Sequence, residues 1–200
     1  MHSFLTFCYG KCCLFIQAFS PDMCHDDFFC RISMAGHLNK GVETINIIRE
    51  LRPEEYGLLE DFLYEAIFIP EGVEPPERDI IYRPELQVYV EGFGSRKGDI
   101  AVGAEAGGRI VGAAWVRIMQ DYGHIDDDTP SFAISLYKEY RGMGLGTAMM
   151  RDLLGRLKAA GYKQASLAVQ KENYAVRLYK KVGFETVSEN GQEYIMLCKF

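Results

Sequence analysis

Arg141-Gly142-Met143-Gly144-Leu145-Gly146-Thr147 places three glycines at alternate positions immediately before a run with helical periodicity. The chemistry this spacing suits is anion binding. The first turn of a helix leaves backbone N–H groups without partners at the positive end of the helix dipole, and glycine lets a phosphate approach that backbone closely. The amides of Met143 to Thr147 would cradle a pyrophosphate, with Arg141 adding a charged contact. The same spacing also suits a plain tight connection between a strand and a helix. Two nucleotide fingerprints are excluded by spacing: G-x-G-x-x-G fails because Met149 stands three residues after Gly146, and a P-loop fails for want of Gly-Lys-Ser/Thr.

The elements that must position this stretch follow from pattern. Residues 43–51 alternate and then run apolar, as a strand does. Pro53, Glu54 and Glu55 open a helical pattern carrying Leu58, Leu59, Phe62, Leu63 and Ala66. A proline-rich segment to Phe93 reads as irregular, with room for one or two short helices. Two β-rich runs meet at Gly107-Gly108, a dipeptide suited to a hairpin. Residues 130–137 form a further short strand that feeds the glycine stretch. The helix beyond presents Leu145, Ala148, Met149, Leu153 and Leu157 and stops near Gly161. A strand over 164–169, a short helix ending at Gly183, and a hairpin around Asn190-Gly191 complete the order β, α, α, β, β, β, α, β, α, β, β. This predicts an α/β fold with a sheet of mixed direction.

Composition limits the partners. At 200 residues, 48% hydrophobic and 25% charged, the chain fills one core. A formal charge of −6 without clustered Lys and Arg argues against nucleic acid. Cys8, Cys12, Cys13, Cys24 and Cys30 all precede residue 31, with Cys198 alone beyond. Residues 1–40 lack a sustained period and are expected to be an extension, or sequence upstream of a start at Met34. They make a poor signal peptide and are too short and polar to span a bilayer. Cys24, His25, Cys30 and the Cys12-Cys13 pair lack the C-x2-C spacing of a zinc site, so no metal is expected. Residues 41–200 are expected to form the functional domain, in the cytoplasm, with no membrane partner.

The glycine stretch resembles the motif of the GNAT superfamily of acyl-CoA-dependent N-acetyltransferases, Arg/Gln-x-x-Gly-x-Gly/Ala, in Arg141 through Gly146. A second signature agrees in Asn173, Ala175, Tyr179 and Gly183-Phe184. The resemblance implies a GNAT-type acyl-CoA N-acyltransferase fold: a central mixed sheet flanked by helices, with the strand before the glycine loop splayed from the strand after the long helix. It implies acetyl-CoA as co-substrate in that gap. Ile134, Ser135 and Leu136 would face the pantetheine and acetyl group. Arg141, Gly142, Met143, Gly144, Leu145, Gly146 and Thr147 would take the pyrophosphate. Asn173 and Tyr179 would sit near the thioester.

An amine of pKa about 10.4 is mostly protonated at pH 7 and must lose a proton before attacking. The backbone amide of Leu136 is the expected donor to the developing oxyanion, and Tyr179 the expected donor to the departing sulfur. Proton transfer from a phenol of pKa about 10 to a thiolate of about 8.5 is uphill by roughly 2 kcal/mol, so Tyr179 is expected to act by hydrogen bonding with late transfer. No acid stands on the strand before the loop. His124, Asp126-Asp127-Asp128 and Glu65 are the candidate bases, beside a water chain, and each also has a plain surface reading. The acceptor wall is expected from the first helix and the proline-rich segment, whose Tyr82, Tyr89 and Phe93 equally suit a core. The resemblance implies an amine of a small molecule or peptide as acceptor, and a homodimer is one assembly open to the chain. The alternative is a CoA-binding regulatory or interaction domain without turnover.

Overall fold

The computed structural model describes residues 45–200, with side chains from Ile47 onward. The expectations for the Cys-rich head and for a boundary near Gly41 lie outside the described residues.

The described chain runs β1 (Ile45–Glu50), α1 (Leu58–Glu65), α2 (Pro84–Gln87), β2 (Ile100–Ala106), β3 (Arg109–Arg117), β4 (Ser131–Leu136), α3 (Leu145–Ala159), β5 (Gln164–Gln170), α4 (Ala175–Lys181), β6 (Glu185–Glu189) and β7 (Glu193–Lys199). One seven-stranded sheet has the order β1-β2-β3-β4-β5-β7-β6. Its pairings are antiparallel except β4 with β5, which are joined through α3. Gly107 and Gly108 both have positive φ, 56° and 78°, as the tight β2–β3 hairpin requires. The expected helix at Pro53 is broken. Pro53–Glu55 is a single 3-10 turn whose Glu55 carboxylate accepts from Arg49 at 2.7 Å and from the Arg52 amide at 2.8 Å as in a capping box, and α1 begins only after Gly57.

Strand alternation divides the core in two. Val102, Ala104, Ala114, Val116, Phe132, Ile134 and Leu136 meet α3 and α4 on one side, whereas Ala101, Ala113, Trp115 and Ala133 meet α1 and α2 on the other. The buried stripe of α3 is wider than the single row expected from its sequence. Met150 and Leu154 join Leu145, Met149, Leu153 and Leu157, and Ala148 is exposed. The segment between α1 and β2 is irregular yet firmly seated. Arg117, fully buried, forms a two-pronged ion pair with Asp99 (3.1 and 2.9 Å) and donates to the carbonyls of Val88 (3.0 Å) and Glu91 (2.9 Å). Trp115 donates to the Tyr89 carbonyl at 3.2 Å. These bonds hold the wall of the site against the sheet.

Candidate active site

β4 and β5 share one rung, Ser131 opposite Ser166, with the Ser166 amide donating to the Pro130 carbonyl at 3.0 Å. Beyond it the two strands part among the described residues, although both continue. On its other edge β4 stays fully paired with β3, and the Tyr137 amide donates to the Val111 carbonyl at 3.0 Å. Antiparallel alternation then assigns the backbone groups of Ser131, Ala133 and Ser135 to β3 and turns those of Ile134 and Leu136 toward the gap. The Ser135 side chain faces α1, where its hydroxyl donates to the Phe62 carbonyl at 2.6 Å.

The gap opens beside the glycine loop. Gly142 (φ 82°) and Gly144 (φ 79°) are left-handed, and a Cβ at either would meet no protein atom within 4 Å. Gly144 caps α3 without any side-chain bond, and the first intrahelical bond runs from the Ala148 amide to the Gly144 carbonyl at 3.1 Å. The amides of Leu145, Gly146 and Thr147 therefore have no protein acceptor among the described residues. Gly146 differs from the other two glycines. Its hypothetical Cβ would contact Leu178 at 3.4 Å and Leu136 at 3.6 Å, so this glycine serves the packing of α3 between β4 and α4.

The wall opposite β4 is α4. Asn173 is buried, its Oδ1 accepts from the Ala175 amide at 2.9 Å, and its Nδ2 has no partner. An orphaned buried donor normally costs about 1–3 kcal/mol, and among the described residues only Glu193 Oε1 is a second buried side-chain atom in this state. The helix ends in a left-handed glycine cap: Gly183 (φ 104°) donates to the Lys180 carbonyl at 3.2 Å and Phe184 to the Tyr179 carbonyl at 3.0 Å. That cap brings the Phe184 ring to 6.0 Å from the Tyr179 ring and 5.7 Å from Phe132. Gly183-Phe184 thus fixes the pose of Tyr179. Burial pushes the Tyr179 phenol well above its ordinary range, with no charge or hydrogen bond contributing.

Arg141, the expected charged contact of the cradle, reaches toward β4 and α1 here. Its Nε donates to the Leu136 carbonyl (2.8 Å) and its Nη2 to Glu65 Oε2 (2.8 Å). Burial pulls its pKa down and the Glu65 charge opposes that. A guanidinium withdrawn this far from water needs an anion and an acceptor, and Glu65 and the Leu136 carbonyl supply them here.

The candidate bases separate by position. Glu65 lies at the open end. His124 and the Asp126–Asp128 run precede β4 at the closed end, where His124 Nδ1 lies 3.0 Å from the Met119 carbonyl and Asp126 accepts from the Thr129 hydroxyl at 2.6 Å. Asp121, which the sequence did not single out, accepts from the Tyr89 hydroxyl (2.8 Å) and the Ser131 hydroxyl (2.8 Å), and Ser131 lies 3.1 Å from the Ser166 hydroxyl. Burial raises its pKa and these hydroxyls oppose the rise. Tyr89 is core, Phe93 half-buried against Tyr56, and Tyr82 exposed. A cavity of about 780 Å³ opens at the far end of α3, lined by Lys97, Asp126, Tyr162, Lys163 and neighbours. Within it Gln164 donates to the Thr129 hydroxyl at 2.7 Å and Thr129 to Asp126 at 2.6 Å. Among the described residues no cluster of metal-ligating side chains occurs, and no helix is long and apolar enough to cross a membrane.

The sequence profile of the acetyltransferase (GNAT) family matches residues 59–184. No curated protein matches the chain. The fold is similar to that of PaiA N-acetyltransferase from Thermoplasma acidophilum in complex with coenzyme A, at 21% identity and a TM-score of 0.58 over 78% of this chain and 99% of that one. It is also similar to a putative acetyltransferase from Acinetobacter baylyi, at 17% identity and TM-score 0.60 over 78% and 94%. A phosphinothricin acetyltransferase from Sinorhizobium meliloti in complex with acetyl-CoA gives 19% identity and TM-score 0.55 over 77% and 88%.

Proposed function

Because the chain belongs to the GNAT acetyltransferase family and has its fold, we propose that it moves an acetyl group from acetyl-CoA to the amine of a small molecule or peptide by direct attack in a ternary complex. One observation carries the reading. Three sets of unpartnered donors surround a single gap: the first-turn amides of α3, the edge of β4 at Ile134 and Leu136, and Asn173 Nδ2. Their chemistry fits a long ligand that is anionic at one end and amide-bearing along its length. The glycine loop would hold the diphosphate, Ile134 would pair with an amide of the arm, Leu136 would face the acyl group, and Asn173 would donate to a carbonyl there.

Acetyl-CoA, when bound, supplies an acyl thioester. The Leu136 N–H faces the gap and would stabilise negative charge growing on an acyl oxygen, a contribution typically of about 3–4 kcal/mol for one such donor. Tyr179 would donate a hydrogen bond to sulfur. Its raised pKa makes it a weaker acid than a free phenol, so charge stabilisation with late proton transfer is its role. The acceptor would reach the gap from the α1 face, between the end of α1 and the segment pinned by Arg117.

Calorimetric titration of acetyl-CoA, followed by a thiol-release assay over a panel of amines, tests the proposal. Micromolar binding with amine-dependent thiol release is expected. Binding without release for every amine would favour a regulatory domain, and absence of binding would remove the reading.

A further inference from the structure

Glu65 carries its carboxylate at the negative end of α1, an unfavourable place unless a cation answers it. Arg141 does so at 2.8 Å, and its guanidinium also donates to the Leu136 carbonyl at 2.8 Å. One side chain therefore ties together the helix over the acceptor face, the strand bordering the gap, and the loop whose first residue it is. α1 is held in register by the Ser135 bond to the Phe62 carbonyl and by the Phe62 ring, 5.1 Å from that of Tyr137. Glu65 is thereby fixed one guanidinium width from Leu136. The Arg141 side chain is only 8% exposed whereas that of Glu65 is 30% exposed, so the carboxylate is the partner that still faces solvent.

We propose that Arg141 serves two anions in turn, Glu65 while the glycine loop is empty and a diphosphate once it is filled, so that filling the loop releases Glu65 to receive the ammonium of a cationic acceptor. The inference rests on the acyl-CoA reading above. β4 carries no acid, and Glu65 supplies from α1 the carboxylate that the strand lacks. A diphosphate carries more charge than a carboxylate and sits where unpartnered amides already favour anions, so it out-competes Glu65 for the guanidinium. The two sites are then coupled reciprocally: whatever occupies the loop strengthens ammonium binding at Glu65, and the reverse. The acceptor class that follows is a basic amine, protonated on arrival, in preference to an aniline or a neutral amide.

The test is calorimetric titration of acetyl-CoA into the wild type, Glu65→Gln, Arg141→Ala and the double variant, each first checked for an unchanged melting temperature. Glu65→Gln is expected to bind acetyl-CoA about five- to tenfold more tightly, because Arg141 no longer leaves a carboxylate to reach the diphosphate. Arg141→Ala is expected to bind more weakly than wild type, and Glu65→Gln should add nothing on that background. With an amine substrate in hand, Glu65→Gln should raise KM at least tenfold with a smaller fall in kcat, and Glu65→Asp should recover part of the loss. Unchanged or weaker acetyl-CoA binding by Glu65→Gln overturns the exchange, as does an equal gain in the absence of Arg141. Wild-type binding combined with either of those results removes only this inference, whereas a wild type that does not bind at all removes the acyl-CoA reading itself.

Discussion

The two ends of the β4–β5 pair handle their polar groups in opposite ways. At the closed end, Ser131 meets Ser166, Asp121 accepts two hydroxyls, and the fully buried Arg117 answers Asp99 and two backbone carbonyls. At the open end, Asn173 Nδ2 and the first amides of α3 have nothing to donate to among the described residues, and Tyr179 is buried without a charge or hydrogen bond to support its ionisation. Buried polar groups are almost always satisfied in native proteins, so the contrast is the basis for proposing that the first set serves the fold and the second a ligand. Stability is expected to respond to the first set and binding to the second.

The largest expected effect lies at the closed end. Arg117→Met leaves the buried Asp99 without its cation, with only the Gly94 and Arg96 amides still donating to it, for a loss of about 3–5 kcal/mol in urea unfolding, with acetyl-CoA affinity of the folded protein unchanged. A loss below about 1 kcal/mol would mean that the pair relaxes into solvent, and the contrast between the ends would fail. At the open end, Gly144→Val should lower acetyl-CoA affinity on the order of a hundredfold, about 2.7 kcal/mol, by filling the space above the amides. Its φ of 79° adds roughly 1–2 kcal/mol of strain, so calorimetry has to be paired with a melting curve to separate the two. A large stability loss with unaltered affinity would assign the loop to folding.

Tyr179→Phe sharpens the same division. Removing a hydroxyl that the fold does not use should leave the melting temperature within a few degrees and acetyl-CoA affinity unchanged, while kcat falls about tenfold to a hundredfold. Unaltered turnover would make the phenol a packing element braced by Phe184.

Element order and the glycine loop were legible because both are written locally. Apolar spacing gives strands and helices, Gly161 and Gly183 mark caps, and alternating glycines ahead of a helical run mark exposed amides. The splay was not legible in this way. Residues 131–136 read as an ordinary apolar strand, and nothing in their pattern says that pairing with β5 stops after one rung; only the family resemblance implied it. Glu65 and Arg141 are 76 positions apart, and Tyr89 and Asp121 are 32 apart. Such pairs depend on how the sheet folds back on itself. Asp121 offered one weak signal, an acid set among the apolar and aromatic residues Ile118, Met119 and Tyr122.

Asp121 yields the finest test of the closed end. Burial is the leading cause of its raised pKa, and the Ser131 and Tyr89 hydroxyls pull the other way. An acid with a raised pKa holds its proton more firmly when folded than when unfolded. Between the ordinary aspartate value of about 3.9 and the raised one, the native state therefore carries the extra proton, and the contribution to stability is lost as pH climbs through that window. Asparagine has no proton to lose, yet it can accept from one hydroxyl and donate to the other, so Asp121→Asn should alter stability by only about 0.5–1.5 kcal/mol. Urea unfolding of both proteins at pH 4 and pH 7.5 is expected to show Asp121→Asn gaining on the wild type as pH rises. If it falls further behind instead, the hydroxyls outweigh burial and hold Asp121 as a stabilised anion. The closed end would then be a charge-binding site in its own right, and the division between the two ends would no longer follow from satisfaction alone.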